Sequence, residues 1–325
     1  MSSATVILSA FHEASGQFVP ASELQRRLAT TSGGVAEKIA ELQRLGYRIE
    51  SHPHLGYRLV SAPDRLLGED LRARIHTRLI GSEILVFEET ASTNDVIEQL
   101  AHAGGHEGLV VFAESQTRGR GRHGRPWVSP RGKGLWFSVL LRPPIPPAAV
   151  ARLTVAASVA VASAVRALAG LDTRIKWPND VTVGGRKLAG ILTEMRGEAD
   201  EVTLAILGIG INVNCTPEDF PPTLLATATS ARIETGRSQD RLALAAAVLE
   251  ALDGTYRLAL ENFEAVSDEW ARLSTTLGKH IVVALGPRRI EGYAQALNGD
   301  GALLVRKDNG QIEQIVGGDL VKEQP

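Results

Sequence analysis

The chain has 325 residues, of which 44% are hydrophobic and 22% are charged, and its net charge is −2 at pH 7. This balance is ordinary for a folded globular protein and excludes a chain that binds nucleic acid through bulk positive charge. The single cysteine, Cys215, excludes an internal disulfide framework and a cysteine-rich zinc site. With an N-terminus that lacks the basic start of a secretory signal, these features predict a cytoplasmic protein.

Residues 1–62 are predicted to form a small domain of three helices followed by a β-hairpin. Ser22 together with Gln25 is interpreted as a capping box that opens the second helix, and Ser32 as the cap of the third. Three helices and a hairpin in this order are typical of a winged helix-turn-helix, which is a DNA-binding scaffold. The alternative is a small helical domain that touches no DNA.

Residues 63–275 are predicted to be an α+β domain, a sheet packed by helices. The apolar stretch 150–171 is interrupted by Arg152 and Arg166 and is rich in alanine, so it is interpreted as a buried helix and not as a membrane span. A second long helix is predicted over 239–263. Strands are predicted at 84–87, 109–113, 135–141, 181–183, 191–195 and 202–211.

Residues 276–325 are predicted to form a small SH3-like β-barrel. Short apolar runs alternate with turn sequences of the Asn-Gly type, at Asn298–Gly301 and at Asp308–Gly310. No internal repeat and no low-complexity tail are visible in the sequence.

The segment 115–127, SQTRGRGRHGRPW, fits the G-x-G-x-x-G spacing of a dinucleotide-binding turn but does not fit its context. Pro126 and Pro130 prevent the helix that must follow such a turn, and no acidic residue stands about 20 residues further on. A Walker loop would need Gly-Lys-Ser or Gly-Lys-Thr, which is absent here. An arginine–glycine RNA-binding tract would be longer and disordered.

The remaining interpretation is a mobile anion-binding loop, here called the arginine loop (residues 115–134). It contains five arginines, one lysine and no acidic residue. Arginine binds phosphate and carboxylate oxygens in a bidentate manner, so the loop would hold and then cover a polyphosphate or an acyl phosphate. The alternative is a solvated basic turn, which Trp127 and Trp136 make less favourable.

Three further segments carry polar side chains that suit a ligand site. Residues 176–180, KWPND, precede a predicted hairpin that brings Lys176, Asp180 and Lys187 together. Residues 89–94, ETASTN, offer small hydrogen-bonding groups for a neutral polar headgroup. Residues 208–214, GIGINVN, form a strand that leads to an amide.

In their order and spacing, these four segments resemble those of the bifunctional biotin protein ligases. The most specific matches are G-R-G-R-x-G-R at 119–125 and K-W-P-N-D at 176–180. The resemblance covers nearly the whole chain. It implies an N-terminal winged helix-turn-helix, a central mixed-sheet ligase domain of the class II synthetase type, and an SH3-like C-terminal domain.

The resemblance also implies an activity and a set of partners. The family activates biotin with ATP and Mg²⁺ to biotinyl-5′-AMP and then transfers biotin to one lysine of a biotin carboxyl carrier protein. Its bifunctional members also bind operator DNA, repress biotin synthesis genes and self-associate through the central sheet when the adenylate is bound. No protein ligand for the magnesium is identified from the sequence.

Particular residues receive roles through this resemblance. Ser92, Thr93 and Gln116 are expected to hold the ureido ring, Gly190 to leave room for the valeryl chain, and Lys187 to lie near the carboxylate and α-phosphate. The expected binding residues are Ser92, Thr93, Asn94, Gln116, Arg120, Gly121, Arg122, Trp127, Lys187, Gly190 and Asn212. The expected catalytic residues are Lys187, Arg122, Asp180 and Lys176. For Trp127 the alternative role is core packing, and for Asp180 it is a turn cap.

The sequence departs from the family pattern at two places. His123 stands where the family loop often has arginine, which makes the loop less cationic at pH 7. The third helix begins with Ser32–Gly33–Gly34 and carries Glu37, which leaves DNA binding open. Two other functions also remain open: a biotin-sensing transcription factor without ligase activity, and a ligase for lipoate or octanoate.

Overall fold

The computed structural model describes residues 2–197 and 201–324. Its N-terminal part packs α1 (Ser3–Glu13), α2 (Ala21–Leu28) and α3 (Ser32–Arg44) against a hairpin of β1 (Arg48–His52) and β2 (Gly56–Ser61). One side chain from each helix is fully buried in a shared apolar core: Ile7, Leu24 and Val35. This arrangement confirms the predicted winged helix-turn-helix order.

Two predicted helix caps in this domain are wrong. Helix α2 begins after Pro20 and has no side-chain cap, and the Gln25 amide instead donates a hydrogen bond to Ser32 Oγ at 2.6 Å. The cap of α3 is Thr31, whose hydroxyl accepts from the Gly34 amide at 3.3 Å. At α3, the neighbouring residues Thr30, Thr31 and Ser32 can each cap and only the backbone path selects one. Helix α2 instead begins at Ala21, one residue before Ser22, and leaves that hydroxyl inside its first turn.

The central part is a mixed sheet with helices on both faces. Its strand order is β3-β4-β5-β9-β8-β7-β6, where β3 and β4 are parallel and every other neighbouring pair is antiparallel. The strands are β3 (Ile84–Phe87), β4 (Val110–Ala113), β5 (Gly134–Leu141), β6 (Thr173–Lys176), β7 (Asp180–Val183), β8 (Arg186–Gly197) and β9 (Val202–Asn212). The helices are α4 (Gly68–Arg74), α5 (Thr93–His102), α6 (Ala151–Ala169), α7 (Ala231–Thr235), α8 (Arg241–Glu261) and α9 (Phe263–Leu273).

Alternate residues of β4 pack on opposite faces of this sheet. Val110 and Phe112 lie in the large core with α6 and α8, whereas Val111 lies in a smaller core with Ile97 of α5. This is the period of two that a strand buried on both faces imposes. The sheet is therefore covered by helices on both sides, and the α+β fold class predicted from the sequence is confirmed.

Helix α6 is a long, apolar helix. An 18-residue stretch within Pro147–Ala169 has a mean hydropathy of 1.8, and 72% of that stretch is buried inside the protein. Its alanines pack closely against α8 and α9 in the large core. The predicted buried helix is therefore present, and its length alone would also suit a membrane span.

The C-terminal part is an antiparallel sheet in the order β13-β12-β11-β10-β14. Its strands are β10 (His280–Leu285), β11 (Arg288–Leu297), β12 (Leu303–Arg306), β13 (Ile312–Ile315) and β14 (Asp319–Gln324). Strand β14 was not predicted, because its sequence is polar and exposed. It pairs with β10 and runs past the arginine loop, so the C-terminal sheet forms part of the surroundings of the candidate site.

Candidate functional site

The middle of the arginine loop is a short hairpin, here called the arginine hairpin (residues 119–127). The Trp127 amide donates to Gly119 O at 2.8 Å, and the Gly121 amide donates to Arg125 O at 2.7 Å. At the tip, Gly124 has a φ of 70° and His123 a φ of 55°. A backbone in this left-handed region is easy for glycine and uncommon for other residues, so Gly124 suits the tip of this turn.

The sheet register places several predicted site residues in one row. Lys176 lies opposite Asp180, Asp180 opposite Gly190, Gly190 opposite Gly210, and Gly210 opposite Trp136. Opposed residues of antiparallel strands point to the same face of a sheet. The row therefore builds one surface from segments that are far apart in the sequence.

The indole of Trp127 lies across the two glycines of this row. A Cβ atom added at Gly210 would stand 2.5 Å from Trp127 Nε1, and one added at Gly190 would stand 3.0 Å from its Cζ3. The ring contacts Trp136 edge-on, with 6.3 Å between centroids. Its Nε1 is buried and has no hydrogen-bond partner among residues 2–197 and 201–324.

Lys187 and Asp180 form the charged centre of the site. Lys187 Nζ lies 2.5 Å from Asp180 Oδ1 and 5.2 Å from the centroid of the Trp127 ring. The ammonium group therefore has a carboxylate on one side and an aromatic face on the other. The backbone of Lys187 pairs with Thr227 and Thr229, which fixes the strand at this point.

The tip of the arginine hairpin reaches the C-terminal domain. Arg122 Nη1 donates to Gly318 O at 3.0 Å, and Arg125 Nη2 lies 2.5 Å from Asp319 Oδ2. Burial lowers the pKa of Arg122, while the nearby carboxylates of Asp319 and Asp180 oppose this shift. Arg122 therefore contacts the C-terminal domain directly, and the Asp180 carboxylate acts on it only through its charge.

A chain of hydrogen bonds runs from the arginine loop into the sheet. Gln116 Oε1 accepts from the Thr93 amide at 2.9 Å, and the Thr93 hydroxyl lies 2.7 Å from Ser138 Oγ. Ser138 Oγ donates to Asn94 Oδ1 at 2.5 Å. Thr93, Asn94 and Ser138 are almost fully buried and Gln116 is partly buried, so these groups form a preorganised polar site beside the apolar core.

Two residues of the site were missed by sequence reasoning. Ser138 is the one hydroxyl in the otherwise apolar strand GLWFSVLL, and that contrast was the available signal. Glu194 on β8 accepts from the Asn94 amide at 2.5 Å, but its place in a polar run at the end of a strand gave no sign of this contact.

The structure brings most of the predicted site residues together, in two adjacent groups. The first group contains Trp127, Asp180, Lys187 and Gly190, and the second contains Thr93, Asn94 and Gln116. Arg122 is bonded instead to Gly318 of the C-terminal domain. Ser92 is buried at the N-terminus of α5, and Gly121 belongs to the arginine hairpin.

Three predicted site residues have their polar groups engaged elsewhere. Lys176 Nζ lies 3.3 Å from Glu323, and the Asn212 amide donates to Thr229 O at 3.0 Å. Arg120 pairs with Asp95 and Glu194. The expectation that Lys176 joins Asp180 and Lys187 therefore holds for its backbone position and not for its ammonium group.

An apolar segment after β9 completes the wall around the tryptophans, and it was also missed. Phe220 and Cys215 lie in one buried cluster with Trp136, and Trp127 packs against this cluster. Leu224 and Ile233 join it from the same segment. Burial raises the pKa of the Cys215 thiol to about 12.

Comparison with known families supports one assignment for all three parts of the chain. The Biotin/lipoate A/B protein ligase family matches residues 86–212, the biotin protein ligase C-terminal domain matches 276–322, and the HTH domain matches 4–58. These matches include the arginine loop, the row of opposed residues and the first four residues of strand β14.

Full-length relatives and solved structures agree with this assignment. The chain is 34% identical over 315 residues, 97% of both chains, to the bifunctional ligase/repressor BirA of Bacillus subtilis. It is 30% identical to the protein of the same name from Escherichia coli, over 94% of both chains. A biotin protein ligase from Aquifex aeolicus, solved with biotin and ATP, superimposes with a TM-score of 0.64 at 28% identity and covers 75% of this chain and 100% of its own. The chain belongs to the biotin protein ligase family.

Proposed function

We propose that this protein is an ATP-dependent biotin ligase that forms biotinyl-5′-AMP and transfers biotin to a lysine of a biotin carboxyl carrier protein. The observation that carries the proposal is the convergence of Lys187, Asp180 and Trp127 on one glycine-lined surface. Family membership supports the substrate class.

The first step joins two anions, and the charged centre is suited to it. A carboxylate oxygen of biotin attacks the α-phosphorus of ATP, and the bond from that phosphorus to pyrophosphate breaks. The two reactants repel each other, so positive groups at the junction stabilise the charge that develops. Lys187 and Arg122 supply this charge, and removal of one such donor typically slows a reaction on the order of 10²–10³-fold.

Each substrate has a matching part of the site. The uncharged ureido group of biotin would exchange hydrogen bonds with the network of Thr93, Gln116 and Ser138. The adenine base would stack near Trp127, against the apolar segment that includes Phe220 and Leu224. Mg²⁺ would enter with ATP, held mainly by phosphate oxygens and water.

The second step needs an uncharged amine and a protected intermediate. The acceptor lysine attacks the acyl carbon of the mixed anhydride, and the bond from that carbon to the AMP oxygen breaks. Asp180 is the carboxylate of the charged centre and would orient this amine and hold its proton. A closed arginine hairpin would keep water from the anhydride until the acceptor arrives.

Mass spectrometry of a carrier domain tests this function directly. The domain is incubated with the protein, biotin and Mg-ATP, and a carrier whose acceptor lysine is replaced by arginine serves as the matched control. We expect the mass of one biotinyl group to be added to the wild-type carrier and not to the control. An unmodified wild-type carrier would contradict the proposal.

Competition experiments distinguish the related substrates. The matching family includes ligases for lipoate as well as biotin. The same assay is run with lipoate or octanoate in excess over biotin. We expect biotin transfer to continue, since the polar network offers several hydrogen-bond partners for a ureido ring and these acids have none. Transfer of lipoate or octanoate in place of biotin would favour the sister activity.

A DNA-binding function is proposed for the N-terminal domain, because full-length relatives are named ligase/repressors and the domain is a winged helix-turn-helix. Three of its six Lys and Arg side chains are paired within the domain: Lys38 with Glu41, Arg27 with Glu23, and Arg58 with Glu50. We therefore expect weak, salt-sensitive binding that depends on dimerisation with the adenylate bound.

A gel-shift experiment at low salt tests the DNA-binding proposal. The probe is the promoter of a biotin-synthesis operon, and the lanes compare the protein alone with the protein plus biotin and Mg-ATP. A shift that requires both ligands supports repression. Its absence under both conditions would leave a ligase whose winged helix does not bind this DNA.

A further inference from the structure

Arg120 is one of the arginines of the hairpin, and its guanidinium forms ion pairs with two carboxylates. Its Nη1 lies 2.6 Å from Asp95 Oδ1, and its Nη2 lies 3.0 Å from Glu194 Oε2. One positive and two negative groups give this cluster a formal charge of −1. Burial alone opposes the charge on Arg120, but hydrogen bonds to Glu194 and Asp95 raise its pKa. The cluster therefore does not present free positive charge to a phosphate.

Glu194 is itself held in place by the interior of the sheet. The Asn94 amide donates to Glu194 Oε2 at 2.5 Å, and Asn94 Oδ1 accepts from Ser138 Oγ at 2.5 Å. Asn94 is 4% exposed and Ser138 is fully buried. A Cβ atom added at Gly208 would stand 2.4 Å from Asn94 Oδ1, so this glycine provides the space for the amide. The carboxylate that meets Arg120 is thus oriented by buried groups.

We propose that Arg120 is a positioning residue that anchors the arginine hairpin to the sheet, and that Glu194, oriented by Asn94, is its holder. This proposal rests on the proposed ligase function and assigns residues that hold the arginine hairpin in place. The hairpin then has a fixed end at Arg120 and a tip at Arg122 that touches Gly318. Closure over the adenylate would move the tip about a base that stays attached to α5 and β8.

Removal of the Glu194 carboxylate distinguishes this proposal from direct anion binding by Arg120, because the two predict opposite changes in how tightly the adenylate is held. If Arg120 bound substrate anions, removing Glu194 would free its charge, and the adenylate would be held as tightly as before or more tightly. If Arg120 is an anchor, removing Glu194 loosens the hairpin and the adenylate escapes faster. Substitutions of the two partners should then be non-additive, because each destroys the same contact.

The experiment measures the dissociation rate of biotinyl-AMP from the full-length chain. It compares wild type, Arg120→Gln, Glu194→Gln and the double variant. We expect each single substitution to accelerate release on the order of tenfold, a size typical of groups in one hydrogen-bond network. The double variant should be no faster than the single ones, and the melting temperature should match that of the control below.

The matched control is Glu98→Gln. Glu98 lies one helical turn after Asp95 on α5. It pairs with Arg196, which is not part of the hairpin, with 2.8 Å between Arg196 Nη2 and Glu98 Oε1. It should leave adenylate release unchanged. Unchanged or slower release in Glu194→Gln, or additive effects in the double variant, would overturn the anchor. A loss of melting temperature in Glu194→Gln that accounts for the faster release would overturn it as well.

Limited trypsin digestion tests, in the absence of any ligand, whether Glu194 holds the hairpin closed. Trypsin cleaves after arginine, so cutting within the hairpin reports how often it opens. We expect Glu194→Gln to be cut several-fold faster than Glu98→Gln at these sites, and equal rates would contradict the anchor. If the wild-type protein formed no adenylate, the proposed function would fail while this digestion still tested the anchor.

Discussion

At the scale of single residues, Arg122 at the tip of the arginine hairpin is bonded to Gly318 of the C-terminal domain. We predict that Arg122→Gly releases biotinyl-AMP at least about tenfold faster than wild type, because the tip loses its bond to Gly318 O and its charge near Asp180. The measurement is the adenylate found in the filtrate after rapid ultrafiltration. Arg125→Gly, at a residue with a 66% exposed side chain, is the control and should have a smaller effect. Retention equal to wild type would refute the gating role.

Cys215 gives a prediction that does not depend on the ligase activity. The thiol is 1% exposed, and burial raises its pKa to about 12, so the reactive thiolate is scarce at pH 7. We expect iodoacetamide to label Cys215 at least about a hundredfold more slowly in the native protein than in urea. Comparable labelling rates in the two states would show that the wall beside Trp136 opens readily.

Residue roles were the hardest feature to predict from the sequence. Lys187 and Asp180 were expected to meet, and they do so at 2.5 Å. Arg120 looked equivalent to Arg122 in the sequence, yet its carboxylate partners come from α5 and β8. Motif spacing identifies which segments meet, but the partner of a long charged side chain depends on three-dimensional placement.

At the scale of secondary-structure elements, the pair Gly190 and Gly210 makes the surface on which Trp127 lies. We predict that Gly210→Ala displaces the indole, because the new Cβ would stand 2.5 Å from Trp127 Nε1. The KM for ATP should rise on the order of tenfold, and tryptophan fluorescence should change. The control is Gly254→Ala in α8, where an added Cβ meets nothing within 4 Å. An unaltered KM and spectrum would mean that Trp127 does not depend on this surface.

Elements with long, largely apolar sequences were predicted well. The long apolar helix α6 and the strands β5 and β9 were expected within one or two residues of their ends. Helix α5 was missed, because its first residues, Thr93 and Asn94, were read as ligand contacts within a polar segment. Helix α9 was missed because the prediction ended one long helix at 263, where Asn262 in fact caps a new one. The local sequence did not show whether the helix ends at this point or whether a second helix begins directly after it.

At the scale of the whole molecule, Asp70 connects the N-terminal domain to the rest of the chain. It is fully buried and accepts hydrogen bonds from His12, Arg74 and Tyr47, at 2.8, 2.8 and 2.9 Å. Burial alone would raise the pKa of Asp70, but the bonds from His12 and Arg74 outweigh it and hold the pKa below 3.8, the ordinary value. The ionised form is therefore stabilised by folding.

A depressed carboxyl pKa has a defined effect on stability against pH. Its contribution is present above the ordinary pKa and is lost as pH falls through the lower, folded value. We predict that Asp70→Asn costs about 3 kcal/mol in the free energy of unfolding at pH 7 and flattens its decline below pH 4. Urea unfolding at pH 7 and pH 3 measures both. An equal loss of unfolding free energy between pH 7 and pH 3 in variant and wild type would contradict this role of Asp70.

The central claim is that positive charge at one point of the sheet joins two anionic substrates. The most direct test is the single-turnover rate of biotinyl-AMP formation from biotin and Mg-ATP, after acid quenching, in wild type and Lys187→Ala. Wild type should form the adenylate, and the variant should form it on the order of 10²–10³-fold more slowly, with an unchanged melting temperature. Adenylate formation by Lys187→Ala at the wild-type rate would contradict the account.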